Sequence, residues 1–131
     1  MKPVIVHSAA RAELDEAMAY YESRTKGLGL DLQSKVEEAV TKIQESPGSW
    51  PPHKHTGFRK CFVERFTFTV FYLEMVECIW VVAIAHGSRR PDYWKRRRRD
   101  YRAEHPAAPN AGIASRLTGG HHWPGIGEPG R

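Results

Sequence analysis

Cysteine is scarce in this 131-residue sequence, and the two present, Cys61 and Cys78, show neither C-x-x-C nor Cys/His spacing. That excludes a disulfide scaffold or a zinc-ribbon reading, and leaves both thiols as small apolar residues inside strand-like runs. Long hydrophobic runs are also lacking. The longest candidate, residues 79–85, is far too short to cross a bilayer, and no amphipathic helix accompanies the basic residues as a membrane anchor. The opening MKPVIVHSAARAEL has no apolar core followed by a small-residue cleavage site, so the expected location is cytoplasmic and reducing. No internal repeat is present, and no metal or cofactor is expected.

Charge is present but unevenly placed. The formal net charge is +5, yet residues 1–88 carry ten Lys and Arg against eleven Asp and Glu, whereas residues 89–102 carry eight against two. Local basicity of this kind argues for a binding surface, where a uniform excess would speak mainly to solubility.

The segment that organises the chain is residues 78–99, CIWVVAIAHGSRRPDYWKRRRR. Its apolar, β-branched start reads as a strand buried on both faces. Where the strand ends the composition switches to His86, a Gly-Ser turn, Arg89 and Arg90, Pro91, Tyr93-Trp94 and then Lys95 to Arg99. A buried strand thus delivers a titratable ring, cations and aromatic faces to one rim, which suits a polyanion or an acidic partner.

Upstream, residues 2–7 read as a strand and Ser8 as the cap of a helix over residues 9–24. Ala10, Leu14, Ala17, Met18 and Tyr21 form its apolar face; Glu13, Glu16 and Arg24 are expected in solvent. Residues 26–29 break that helix. A second helix over residues 30–45, with Leu32, Val36, Ala39, Val40 and Ile43 inward, stops at Ser46-Pro47-Gly48. After a proline-rich loop, residues 58–63, 66–73 and 78–85 read as an antiparallel meander against which both helices pack. The expected fold is α+β: an N-terminal strand and a helical hairpin on a small antiparallel sheet, in the order β-α-α-β-β-β. The expected domain spans residues 1–103. Residues 104–131, rich in Gly and Pro and without periodicity, are expected to be a disordered tail, in which His121-His122 is incidental.

This order resembles the RelE/ParE superfamily of toxins from bacterial type II toxin-antitoxin modules, which include plasmid-stabilisation systems. The residues that carry the resemblance are Ala9, Arg11, Ala12, Glu13 and Leu14, Tyr20-Tyr21, Ser46-Pro47, residues 66–72 (FTFTVFY) and residues 86–94 (HGSRRPDYW). It implies a cognate antitoxin as partner, and one of two activities. RelE-like members cleave messenger RNA at the ribosome without a metal, whereas ParE-like members bind and poison DNA gyrase.

The first activity is the leading expectation. For ribosome-dependent cleavage, His86 would accept the 2′-hydroxyl proton, Arg89 and Arg90 would stabilise the phosphorane-like charge, and Tyr93 would donate a proton or stack a base, with Arg65 near the same cleft. Lys54, Lys60, Lys95, Arg96, Arg97, Arg98 and Arg99 would contact nucleic-acid phosphates. Each has a plainer reading. His86 could satisfy a backbone carbonyl, Trp94 is expected to close the core, and the run of cations could be a solvated tail. One departure counts against the nuclease: RelE-like enzymes place an arginine on the middle strand where this chain has Thr69. The gyrase inhibitor, without chemistry of its own, is the alternative. A non-toxic, basic RNA-binding module is a third.

Overall fold

The computed structural model describes residues 1–101. The tail expected to be disordered, and the 103/104 domain boundary, lie outside the described residues. The elements follow in the order β1 (Val4–Val6), α1 (Ser8–Arg24), α2 (Leu28–Glu45), β2 (Arg59–Val63), β3 (Phe68–Glu74) and β4 (Ile79–His86). A 3-10 segment, Tyr93–Arg99, then crosses the sheet; it is called the strap here.

The four strands form one sheet in the order β1-β4-β3-β2. The last three make the expected antiparallel meander, and β1 joins it parallel to β4, with Val4 opposite Ile79 and Val6 opposite Val81. The β3–β4 register skips Val82: Phe71 faces Ala83 while Tyr72 faces Val81. This bulge changes the inward alternation along β4. Ile79, Val81 and Ile84 face the helices, whereas Cys78, Trp80, Val82 and Ala83 face the strap. The continuous apolar run is thereby buried on both sides, as expected of it.

Both helices lie on one face of the sheet. Leu14 of α1 and Leu32, Val36, Val40 and Ile43 of α2 meet Val70, Tyr72 and Val81 there, all nearly fully buried. Three boundaries differ from the sequence reading. His7, not Ser8, caps α1: its Nδ1 accepts from the Ala9 N–H at 2.9 Å, a role an imidazole takes over because the ring is held from its other side. The break between the helices is shorter than residues 26–29, and α2 resumes at Leu28. Glu22 makes this possible, since its two carboxylate oxygens accept from Gly27 N (2.8 Å) and Gly29 N (3.0 Å), satisfying N–H groups that the first helical turn leaves orphaned. Finally, β3 starts at Phe68, because residues 64–67 form the turn in which Arg65 adopts φ 74°.

Candidate functional site

The site is built on an unequal pairing. β4 has eight residues and β1 only three, so the half of β4 that ends at His86 is paired with β3 on one side but has no strand on the side where β1 stops. An open edge within a packed domain leaves backbone groups that need partners. Glu13 of α1 and Arg97 of the strap supply them. The Ile84 N–H donates to Glu13 Oε1 at 3.0 Å, and Arg97 Nη1 donates to the Val82 carbonyl at 3.0 Å. The two side chains then join through Arg97 Nη2 and Glu13 Oε2 at 2.9 Å, at only 16% and 10% exposure. Glu13 is therefore not the solvated residue its helical position suggests.

Tyr93 completes this cluster. Its hydroxyl donates to Glu13 Oε2, and its ring lies beneath the guanidinium of Arg89, 3.9 Å from the ring centroid, with Arg97 at 5.2 Å. Burial, reinforced by the adjacent Glu13 carboxylate, pushes the Tyr93 phenol above its ordinary range. Arg89 stays half-exposed, its Nη1 3.9 Å from Glu13 Oε2.

His86 stands at the end of β4 and packs edge-on against Phe68. The Ser88 N–H donates to His86 Nδ1 at 3.0 Å, and the Ser88 hydroxyl lies 2.7 Å from the same nitrogen. A neutral ring held in this way carries its proton on Nε2. The nitrogen it can turn outward is then a donor, not a base.

Two cavities meet at His86 and Arg89. One, of about 360 Å³, lies between α1 and the sheet end, with Glu13, Tyr20, Tyr21 and Phe68 in its walls. The other, of about 210 Å³, opens on the strap side, with His53, Lys54, Thr69, Arg90 and Asp92 in its walls. Here Asp92, in a left-handed conformation at φ 59°, accepts from Lys54 Nζ at 2.6 Å and pairs with His53 Nε2 at 2.7 Å. These hydrogen bonds, that of Lys54 first, hold the Asp92 carboxyl down to about 2. The Nδ1 of the buried His53 has no partner among the described residues.

The structure thus brings His86, Arg89, Arg90, Tyr93 and Lys54 to one rim. It does not bring Arg65 there: that side chain lies over Phe66 and reaches Asp31 of α2 at 3.4 Å, and it lines neither cavity. Lys60 sits on β2 opposite Phe71, half-buried. The cation run divides. Arg97 points inward as described, and Arg98 donates to the Thr56 carbonyl and covers Phe58, whereas Lys95, Arg96 and Arg99 are exposed. Trp94 is buried against Phe71, Phe58 and His53, as expected for a residue that closes the core. Sequence reasoning missed Glu13, His53 and Asp92. No local signal marked these three; the three-residue spacing of Trp94 and Arg97 shows only that one row of the strap turns inward.

Among the described residues no group of three or more His, Cys, Asp or Glu is placed to hold a metal ion, and no helix is long and apolar enough to cross a membrane.

Comparison with known proteins decides the family. A family model described as the ParE toxin of the type II toxin-antitoxin system parDE matches residues 4–91. The chain belongs to the ParE toxin family. The model accordingly covers every strand and both helices and stops before the strap. A solved structure described as the chromosomal ParDE TA system from P. aeruginosa superposes with a TM-score of 0.58 at 22% identity, covering 66% of this chain and 96% of that one. At this identity the likeness shows a shared ParE fold. No curated protein matches.

Proposed function

We propose that this ParE-family chain arrests growth by binding DNA gyrase in the cytoplasm, without cleaving RNA, and that an antitoxin encoded beside it neutralises it. The observation that carries the reading is the occupation of the would-be nuclease groups. Metal-free cleavage needs a base for the 2′-hydroxyl and an acid for the leaving oxygen. His86 offers a proton donor outward while Ser88 holds its Nδ1, and the Tyr93 hydroxyl is spent on Glu13 with its acidity weakened. The middle-strand position that would carry a cation is Thr69. Binding a protein target asks for none of these groups.

A second reading, ribosome-dependent cleavage, is favoured by one observation: His86, Arg89 and Arg90 do share the wall of the strap-side cavity. Expression from a tightly repressed promoter separates the two. Gyrase poisoning predicts growth arrest, induced DNA-damage signalling, lost supercoiling activity and cellular RNA with unchanged 5′ ends. New 5′ ends inside translated frames within minutes of induction, abolished by the folded double variant His86→Ala, Arg89→Ala, would overturn the proposal in favour of the nuclease. No arrest at all would overturn both and leave a non-toxic binding module.

A further inference from the structure

The strap carries its cations in an ordered way. A 3-10 helix has three residues per turn, so positions i and i+3 eclipse. Trp94 and Arg97 make the inward row, buried and half-buried respectively. Lys95 with Arg98, and Arg96 with Arg99 in the row that the half-buried Tyr93 opens, make the other two rows, and all four of these cations are exposed.

Both ends of the strap are fastened. Asp92 and Asp100, the residues flanking its first and last turns, are held by buried histidines: His53 Nε2 lies 2.7 Å from Asp92 and His7 Nε2 lies 2.8 Å from Asp100. The middle is fixed by Arg97 on Glu13. These contacts also consume the two carboxylates of the segment. Lys95 is 3.9 Å from Asp92, while Arg90, Arg96 and Arg99 are exposed and hold no carboxylate among the described residues. A rigid ridge of cations with its local counter-charge turned inward remains.

We infer that this ridge, Lys95, Arg96 and Arg99 with Arg90 beside it, contacts the phosphate backbone of duplex DNA. Three observations select that partner. First, the aromatic rings along the strap are spent. Trp94 is buried, Tyr93 lies under Arg89, and Phe58 lies under Arg98, so the ridge offers no stacking platform of the kind single-stranded nucleic acid needs. Second, it offers no apolar anchor between its cations, which a protein partner's hot spot would require. Third, the seven residues extend roughly 14 Å, about four base-pair steps of a duplex, and the clamped ends remove the ordering cost that a flexible basic tail would carry. The choice of DNA over duplex RNA rests on the gyrase reading, since gyrase holds DNA.

The test uses the purified full chain without gyrase. Fluorescence anisotropy with a labelled 20-base-pair DNA duplex is followed from about 50 to 200 mM salt, for the wild type and for the triple variant Lys95→Ser, Arg96→Ser, Arg99→Ser, whose folding is checked by thermal melting. Each phosphate contact contributes about 0.9 to the salt slope, so the variant is expected to lose about 2 to 3 from that slope and at least tenfold in affinity at the lower salt. An unchanged slope and affinity in the folded variant would overturn the inference. So would equal or tighter binding of single-stranded or duplex RNA, or displacement of the duplex by polyglutamate as readily as by unlabelled DNA, which would point to an acidic protein. Because gyrase is absent, failure here leaves the gyrase reading to its own supercoiling assay.

Discussion

The two faces of the sheet are closed by different physics. On the helix side, Leu14, Leu32, Val36, Val40 and Ile43 interdigitate with Val70, Tyr72 and Val81, and the closure is apolar and nearly complete. On the strap side, Trp80, Trp94 and Phe58 form a smaller apolar cluster, and the final seal is ionic: Glu13, Arg97, Tyr93 and the two His–Asp pairs. Apolar closure tolerates truncation of one member as a graded loss, whereas a buried ionic seal fails abruptly when one charge is left alone. The strap side is also open to solvent through a cavity rimmed by His86, Arg89 and Arg90. A toxin built this way has a rigid back and a polar front.

Neighbouring residues on α1 put that contrast to its strongest test. Glu13→Ala strands the guanidinium of Arg97 and orphans the Ile84 N–H, and is expected to cost about 3–5 kcal/mol by urea unfolding. Leu14→Ala, the next residue, 1% exposed in the helix-side core, is expected to cost about 2–5 kcal/mol as a cavity. The double variant Glu13→Leu, Arg97→Met separates the mechanisms: replacing both charges with apolar groups is expected to regain most of the loss from Glu13→Ala. No regain would mean that the carboxylate's bond to the β4 edge, and not charge pairing, holds the strap.

The helix side yields the next effect. A Cβ on Gly29 would lie 2.6 Å from the Met18 carbonyl oxygen, backbone that has little room to move. Gly29→Ala should therefore push α1 and α2 apart and cost about 1–3 kcal/mol, read as a lower midpoint with an unchanged m-value. An unaffected midpoint would show that this face is looser than its burial implies.

These differences also explain what could be read in the chain beforehand. The helix side was legible because its residues recur at helical and strand periods, Leu32-Val36-Val40-Ile43 against Val70-Tyr72, and burial follows period. β4 was legible as a run apolar on both sides. The cluster at Glu13 was not. At helical spacing it falls on the polar face, and the partners that pull it inward, Tyr93 and Arg97, lie 80 and 84 positions later. Local pattern carries no information about so distant a pairing. The cation run misled for a related reason: its composition is uniform, and only the three-residue turn sorts Arg97 from Arg96 and Arg99. That His86, Arg89 and Arg90 share one rim was legible because a buried strand must end somewhere, and its last residue faces whatever lies beyond the sheet.

The smallest expected effect lies at the start of the strap and is read by acid. Bonds from Lys54 and His53 lower the Asp92 carboxyl from 3.8 to about 2 in the folded chain. A carboxyl whose folded value is depressed contributes stability that is fully present above its unfolded value and disappears as pH falls through the folded one. Asp92 therefore adds to stability above about pH 4, and its contribution should fade between there and about pH 2. Midpoints of thermal unfolding measured across that window should decline less steeply in Asp92→Asn than in the wild type. Asp100 is fastened by a different histidine at the strap's far end, so the distance between the wild-type and Asp92→Asn curves isolates one fastening. If the curves coincide in slope between pH 4 and 2, the strap's near end is held by Trp94 packing alone, and the ionic seal of this face shrinks to the Glu13–Arg97 pair and the Asp100 clasp.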